Sequence, residues 1–104
     1  MISFIVPAYN EEHELSDTLV AIREAASAAA RPYEIIVVDD ASTDATSTIA
    51  SQAGAKVIPI NRRQIAASRN AGARTAQGEY LFFIDADTRI NRAHVSGGIA
   101  ALEG

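Results

Sequence analysis

The sequence predicts an α/β protein: a mainly parallel sheet of about four strands, in the order 3-2-1-4, with helices on both faces. Two observations carry this. Short apolar, β-branched runs alternate with stretches of helical periodicity, giving β-α-β-α-β-α-β-α. The runs around 34–39 and 79–85 are apolar almost without interruption, as strands buried on both faces require. Right-handed crossovers between such strands then give the order.

Ile2 to Val6 forms the first strand, ended by Pro7. Leu15, Leu19, Ile22 and Ala26 follow at spacings of four, three and four, one stripe of an amphipathic helix. Asn10 or a neighbour caps it, Glu11, Glu12 and Glu14 suit its positive end, and Arg31-Pro32 ends it. Glu34 to Asp39 is the second strand. Ser42-Thr43-Asp44 offers caps for a second helix, in which Ile49 and Ala53 share a face and Gly54 marks the stop. Lys56 to Ile60 is a third strand, placed at an edge by Pro59. A third helix runs from about Arg63 to Ala76, with Ile65, Gly72 and Ala76 inward and Gly78 closing it. Glu79 to Asp85 is the fourth strand. A last helix from Asn91 is weakened by Gly97-Gly98, at about 1 kcal/mol per glycine.

With 104 residues the chain is one domain at most, without repeats or an obvious linker. It has no cysteine, which excludes disulfides, thiolate nucleophiles and sulfur-ligated metals. A net charge of −4 and a single lysine, Lys56, exclude a non-specific nucleic-acid binder. Phe4 to Tyr9 follows no basic region and contains Pro7, so it is neither a signal peptide nor a membrane span. The expected location is the cytoplasm, at the inner face of a membrane if a longer parent protein carries an anchor.

Three polar clusters fall after strands, and such sheets bind ligands beyond their carboxyl ends. Pro7-Ala8-Tyr9-Asn10-Glu11 follows strand 1, Asp39-Asp40 follows strand 2, and Asp85-Ala86-Asp87 follows strand 4. Strands 2 and 4 flank strand 1, about 10 Å apart at ~4.8 Å per strand, the span of a nucleoside diphosphate. A single acidic residue at a strand end commonly just caps a helix; three clusters on one rim are a different matter. Asp85 and Asp87 straddle one residue and can face one hard divalent cation, Mg²⁺ or Mn²⁺, which keeps places for phosphate oxygens. Neither Gly-x-x-x-x-Gly-Lys-Ser/Thr nor Gly-x-Gly-x-x-Gly is present to cradle phosphate directly. Tyr9 either stacks on a base or packs on helix 1, and Asp40 can accept hydrogen bonds from a base or ribose. Arg63 and Arg69 either neutralise a diphosphate or are solvated helix charges. His13 and His94 are isolated surface residues.

Four blocks occur in order: Ile5-Val6-Pro7-Ala8-Tyr9-Asn10-Glu11-Glu12, Val37-Val38-Asp39-Asp40-Ala41-Ser42-Thr43-Asp44, Arg69-Asn70-Ala71-Gly72, and Gly78-Glu79-Tyr80-Leu81-Phe82-Phe83-Ile84-Asp85-Ala86-Asp87. Over nearly the whole chain this resembles the N-terminal half of a family 2 glycosyltransferase, the Rossmann-like half of a GT-A fold. The resemblance implies that Pro7, Tyr9 and Glu11 line a nucleoside pocket, with Ala8 in the same block. It implies that Val38 and Asp40, with neighbouring Asp39, hold the base or ribose. Asp85 and Ala86 would contact the sugar nucleotide, and Asp87 would be the principal metal ligand. The implied reaction is transfer of a sugar, with inversion, from a nucleoside-diphosphate donor to a hydroxyl acceptor, glycan or lipid-linked. The implied base and acceptor site lie in a second half, so 1–104 is expected to be the nucleotide-sugar-binding half, with the acceptor-binding half absent and its turnover alone open.

The alternative is a non-catalytic nucleotide-binding or assembly module completed by another chain. An exposed fourth strand makes self-association the expectation. A phosphoacceptor receiver domain fits poorly, because it places its acidic pair after strand 1 and needs a later strand-end lysine; here the pair follows strand 2 and Lys56 begins strand 3.

Overall fold

The computed structural model describes residues 1–86. Its elements are β1 (Ile2–Ala8), α1 (Leu15–Ala28), β2 (Tyr33–Asp40), α2 (Thr46–Gln52), β3 (Lys56–Ile60), α3 (Ile65–Thr75) and β4 (Tyr80–Phe83). Asp87, His94 and the helix expected from Asn91 lie outside the described residues. The four strands form one sheet in the order β3-β2-β1-β4, and every pair is parallel. That is the order expected, with Pro59 on the edge strand.

All seven residues of β1 are buried, which is why its run shows no polar alternation. One face packs Phe4, Val6, Ile35 and Val37 against Leu15, Leu19, Ile22 and Ala26 of α1. Burying each of these larger side chains contributes about 2 kcal/mol. Ile49 and Ala53 of α2 pack at the margin of the same cluster. The other face holds Ile5, Ile36 and Val38 beneath α3.

α3 approaches the sheet closely because Gly72 has no side chain. A Cβ there would collide with Ile5 Cγ2 and press on Val38 Cγ2 at 3.2 Å. Both neighbours are fully buried and have nowhere to move. Gly72→Ala is therefore expected to destabilise the fold by about 1–3 kcal/mol, despite alanine's helix-propensity advantage of about 1 kcal/mol. Urea unfolding reads this; an unchanged or raised midpoint would contradict the close approach.

Three local expectations are corrected. Asn10 does not cap α1, which begins at Leu15 after Glu14 without a side-chain cap. Instead Asn10 adopts a left-handed φ of 51° and its Oδ1 accepts from the Thr43 N–H at 2.8 Å. α3 starts at Ile65 rather than Arg63, whose φ is 52°. Ile65 does not point into the core: it is 56% exposed, although Gly72 is buried and Ala76 packs against the Ile5 cluster as expected. Ile65 sits in the first turn of α3, at the open end of the sheet rather than over it.

At the amino-terminal ends of the strands, Glu34 ties three strands together. Its carboxylate accepts from Ser3 Oγ and the Gln77 N–H, each at 2.6 Å, and meets Lys56 Nζ at 3.4 Å. Burial opposes its ionisation, but these donors outweigh it and hold its pKa below the ordinary glutamate value. α3 leaves one strip of the sheet uncovered: Leu81 and Phe83 of β4 are 40% and 42% exposed. Among the described residues no helix is long and apolar enough to cross a membrane.

Candidate functional site

The loops after β1 and β2 are stitched to each other. The Asn10 N–H donates to Ser42 Oγ at 2.9 Å, and the Glu11 N–H to Thr46 Oγ1 at 2.9 Å. The Glu12 N–H donates to Asp44 Oδ2 at 3.3 Å, and Glu12 Oε2 accepts from the Ala45 N–H at 3.1 Å. Asp44 Oδ1 also accepts from the Thr46 N–H at 2.9 Å, so Asp44 does serve the start of α2 as expected. Burial works against its charge, yet the Thr46 hydroxyl and these N–H groups lower its pKa. Left-handed turns at Asn10 and Ala41 bend both chains back over the rim.

Asp40, at the end of β2, organises a third loop. Oδ1 accepts from the N–H groups of Arg62 and Arg63, both at 2.9 Å, and Oδ2 from that of Gln64 at 3.0 Å. Desolvation raises its pKa, but the Arg63, Arg62 and Gln64 donors and the Arg63 charge prevail and lower it. The carboxylate is thus largely committed to backbone, leaving limited capacity for a ligand. Held this way, Arg63 lays its guanidinium 3.7 Å from the centre of the Tyr9 ring. The Tyr9 ring is thus covered by a guanidinium from the third loop.

Asp85 is positioned from the opposite flank. The Ile84 N–H extends the β1–β4 ladder to Ile5 O at 3.0 Å, and Thr18 Oγ1 of α1 donates to Ala86 O at 2.9 Å. Ile84 and Ala86 are buried by these ties. Asp85 between them keeps its side chain 48% exposed, with Arg69 Nη2 at 4.0 Å from Oδ1. Arg69 is itself half exposed, so this pair is weak.

Together the three loops enclose a cleft of about 410 Å³ whose lining includes Pro7, Ala8, Tyr9, Glu11, Asp40, Arg63, Asp85 and Ala86. Seven of the sequence candidates after β1, β2 and β4, namely Pro7, Ala8, Tyr9, Glu11, Asp40, Asp85 and Ala86, thus meet in one place. Others do not. Val38 is fully buried under α3, where its side chain packs with Ile5 and Ile36. Asp39 is buried, with Oδ1 accepting from the Ser42 N–H at 3.1 Å. Arg69 stands beside the cleft through Asp85. Gln64, Ile65 and Ser68 of the α3 start also line it and were missed. Their helical spacing gave no signal, because only the tertiary turn at Asp40 brings them to the rim.

For a cation, Asp85 is the described candidate. Among the described residues no group of three or more His, Cys, Asp or Glu is placed to hold a metal ion. A lone, half-exposed carboxylate is nevertheless the type of donor a hard cation shares with water and phosphate oxygens.

Comparison with known proteins fits this geometry. The chain is 36% identical over 96 residues to a poly(ribitol-phosphate) beta-glucosyltransferase of Bacillus spizizenii, covering 86% of this chain and 15% of that protein. It superposes on Staphylococcus aureus TarS 1-349 in complex with UDP-GlcNAc with a TM-score of 0.77 and 29% identity, covering 98% of this chain and 31% of the other. It superposes on the mannosyltransferase PcManGT of Pyrobaculum calidifontis, in complex with GDP-Man and Mn²⁺, with a TM-score of 0.82 and 28% identity, covering 99% and 32%. The chain therefore spans about a third or less of the length of these proteins. The family model described as glycosyl transferase family 2 matches residues 3–104, and the chain belongs to that family.

Proposed function

We propose that residues 1–104 are the donor-binding portion of an inverting glycosyltransferase, which takes a nucleoside-diphosphate sugar with Mg²⁺ or Mn²⁺ and serves a hydroxyl acceptor, glycan or lipid-linked. The observation that carries this is the meeting of Tyr9, Glu11, Asp40, Arg63 and Asp85 in one cleft at the carboxyl ends of β1, β2 and β4. The sugar nucleotides and Mn²⁺ bound by the superposed transferases support the same ligand classes here.

In this reading the nucleoside lies against the β1 and β2 loops, with Pro7, Ala8, Tyr9 and Glu11 on one side. Val38 and Asp39, whose side chains are buried, serve it mainly by placing their backbone. Asp85, with Asp87, would hold the metal ion, and Ala86 would approach the donor beside it. The bound ion would supply Lewis-acid stabilisation of charge on the departing diphosphate. Arg69, only loosely tied to Asp85, is free to turn toward the same diphosphate. Inversion also calls for a base at the acceptor hydroxyl, and no residue of this cleft is assigned that role.

A second reading, a non-catalytic module completed by another chain, is favoured by the exposed Leu81 and Phe83 on β4. One experiment separates the two: titration of uridine, guanosine, cytidine and adenosine diphosphates with and without Mn²⁺, followed by an assay for sugar release from the matching donor. Mn²⁺-dependent binding is expected for at least one base. Sugar release rules out the non-catalytic module, and no binding at all sinks the donor-binding reading.

A further inference from the structure

We propose that Arg63 is a base-stacking residue of the donor site, its guanidinium forming with Tyr9 a two-layer shelf on which the nucleobase lies. This rests on the donor-site reading above and adds a residue that the sequence left undecided between a diphosphate contact and a solvated charge.

Arg63 is the one cationic side chain among the described residues lining the cleft; Glu11, Asp40 and Asp85 are acidic. Its placement is enforced rather than incidental. A φ of 52° is a left-handed backbone that non-glycine residues seldom adopt, and it persists only where the surroundings over-determine it. Here Asp40 does so, binding the N–H groups of Arg62, Arg63 and Gln64 in succession. The Arg63 backbone is thus pinned with its side chain directed at Tyr9.

At 3.7 Å from the ring centre the guanidinium is already in stacking contact, so no base fits between the two groups. An entering base must lie on the outer face of the guanidinium or evict it. The pinned backbone favours the first. A guanidinium is planar and weakly hydrated, and it stacks on nucleobases as readily as on aromatic side chains. Tyr9 behind it keeps the plane fixed. At the metal-proximal end Arg69, beside Asp85, is the better placed cation for the diphosphate. A shelf of this kind touches only the face of a base, so it strengthens every base alike and leaves discrimination to groups that reach the base edge.

The test is an NMR titration without metal of uridine, guanosine and their diphosphates against the parent chain, Arg63→Gly and Arg63→Lys. Glycine suits the left-handed backbone, so Arg63→Gly is expected to keep the parent's circular dichroism and melting temperature; should it unfold, Arg63→Lys carries the comparison. Both variants are expected to lose about tenfold in affinity, to the same degree for nucleoside and diphosphate and for both bases. A loss confined to the diphosphates and restored by lysine would make Arg63 a phosphate contact and overturn the proposal. Unchanged binding, or tighter binding by Arg63→Gly, would overturn it too. If the parent bound none of the four ligands without metal, this inference would fail, while the donor-site reading would still be decided by the titration with Mn²⁺.

Discussion

Asp85→Ala is expected to abolish the metal-dependent part of nucleoside-diphosphate binding, a loss of about 100-fold at saturating Mn²⁺, while metal-free binding stays near that of the parent. The expectation follows from where Asp85 sits. Its neighbours Ile84 and Ala86 are locked inward by Ile5 and by the Thr18 hydroxyl, so the carboxylate faces the cleft on a fixed backbone. Among the described residues no other carboxylate is grouped with it to hold a cation, and Arg69 at 4.0 Å is a competitor for the carboxylate rather than a ligand for a cation. Loss of groups that merely orient a ligand costs metal sites 10- to 100-fold, so removal of a ligand should reach about the upper end. Asp87→Ala should behave in the same way. Isothermal titration with and without Mn²⁺ reads both. Equal Mn²⁺ dependence in parent and Asp85→Ala would remove Asp85 from the metal site.

Asp40→Ala is expected to cost about 3 kcal/mol of stability and also to weaken nucleotide binding. Three N–H groups lose a charged acceptor at once, and charge-assisted bonds of this kind are worth about 1.5–3 kcal/mol each before water at the cleft mouth replaces some of them. The turn that holds Arg63 against Tyr9 then loses its anchor. The pH dependence has a definite sign. Asp40, Asp44 and Glu34 all have folded pKa values below their ordinary ones. Their stabilisation is complete above the unfolded carboxylate range, about 3.9–4.3, and disappears as pH falls through the lower folded values. Asp40→Asn should therefore be less stable at neutral pH and lose less on acidification. Parallel acid-unfolding curves for parent and Asp40→Asn, with midpoints in urea unchanged at pH 7, would show that the carboxylate does not hold the loop.

Much of the framework was legible because it depends on patterns local to the chain. The α1 stripe at Leu15, Leu19, Ile22 and Ala26 is buried as its spacing required, and Pro59 marks an edge strand because it cannot donate to a ladder. The three rim clusters followed from strand order alone. What sequence reasoning missed is long-range. Asn10 resembles a helix cap until Thr43, distant in sequence, offers its N–H. Asp40 reads as a ligand acceptor until the loop of Arg62, Arg63 and Gln64 folds onto it. Ile65 continues an inward stripe by phase, yet lies beyond the strands that the stripe needs beneath it. In each case a pairing between distant segments overrides a correct local preference.

The position of β1 in the middle of the sheet has a consequence for how the molecule assembles. Ile2 must find Tyr33 on one side and Tyr80 on the other, the latter across most of the described chain. A ribosome delivers this central strand well before its second neighbour, with β2, β3 and all three helices made in between. Until then its apolar edge is open, so contact order is high and acquisition of the native state should be slow. The nascent chain is most vulnerable to aggregation in the interval before β4 emerges.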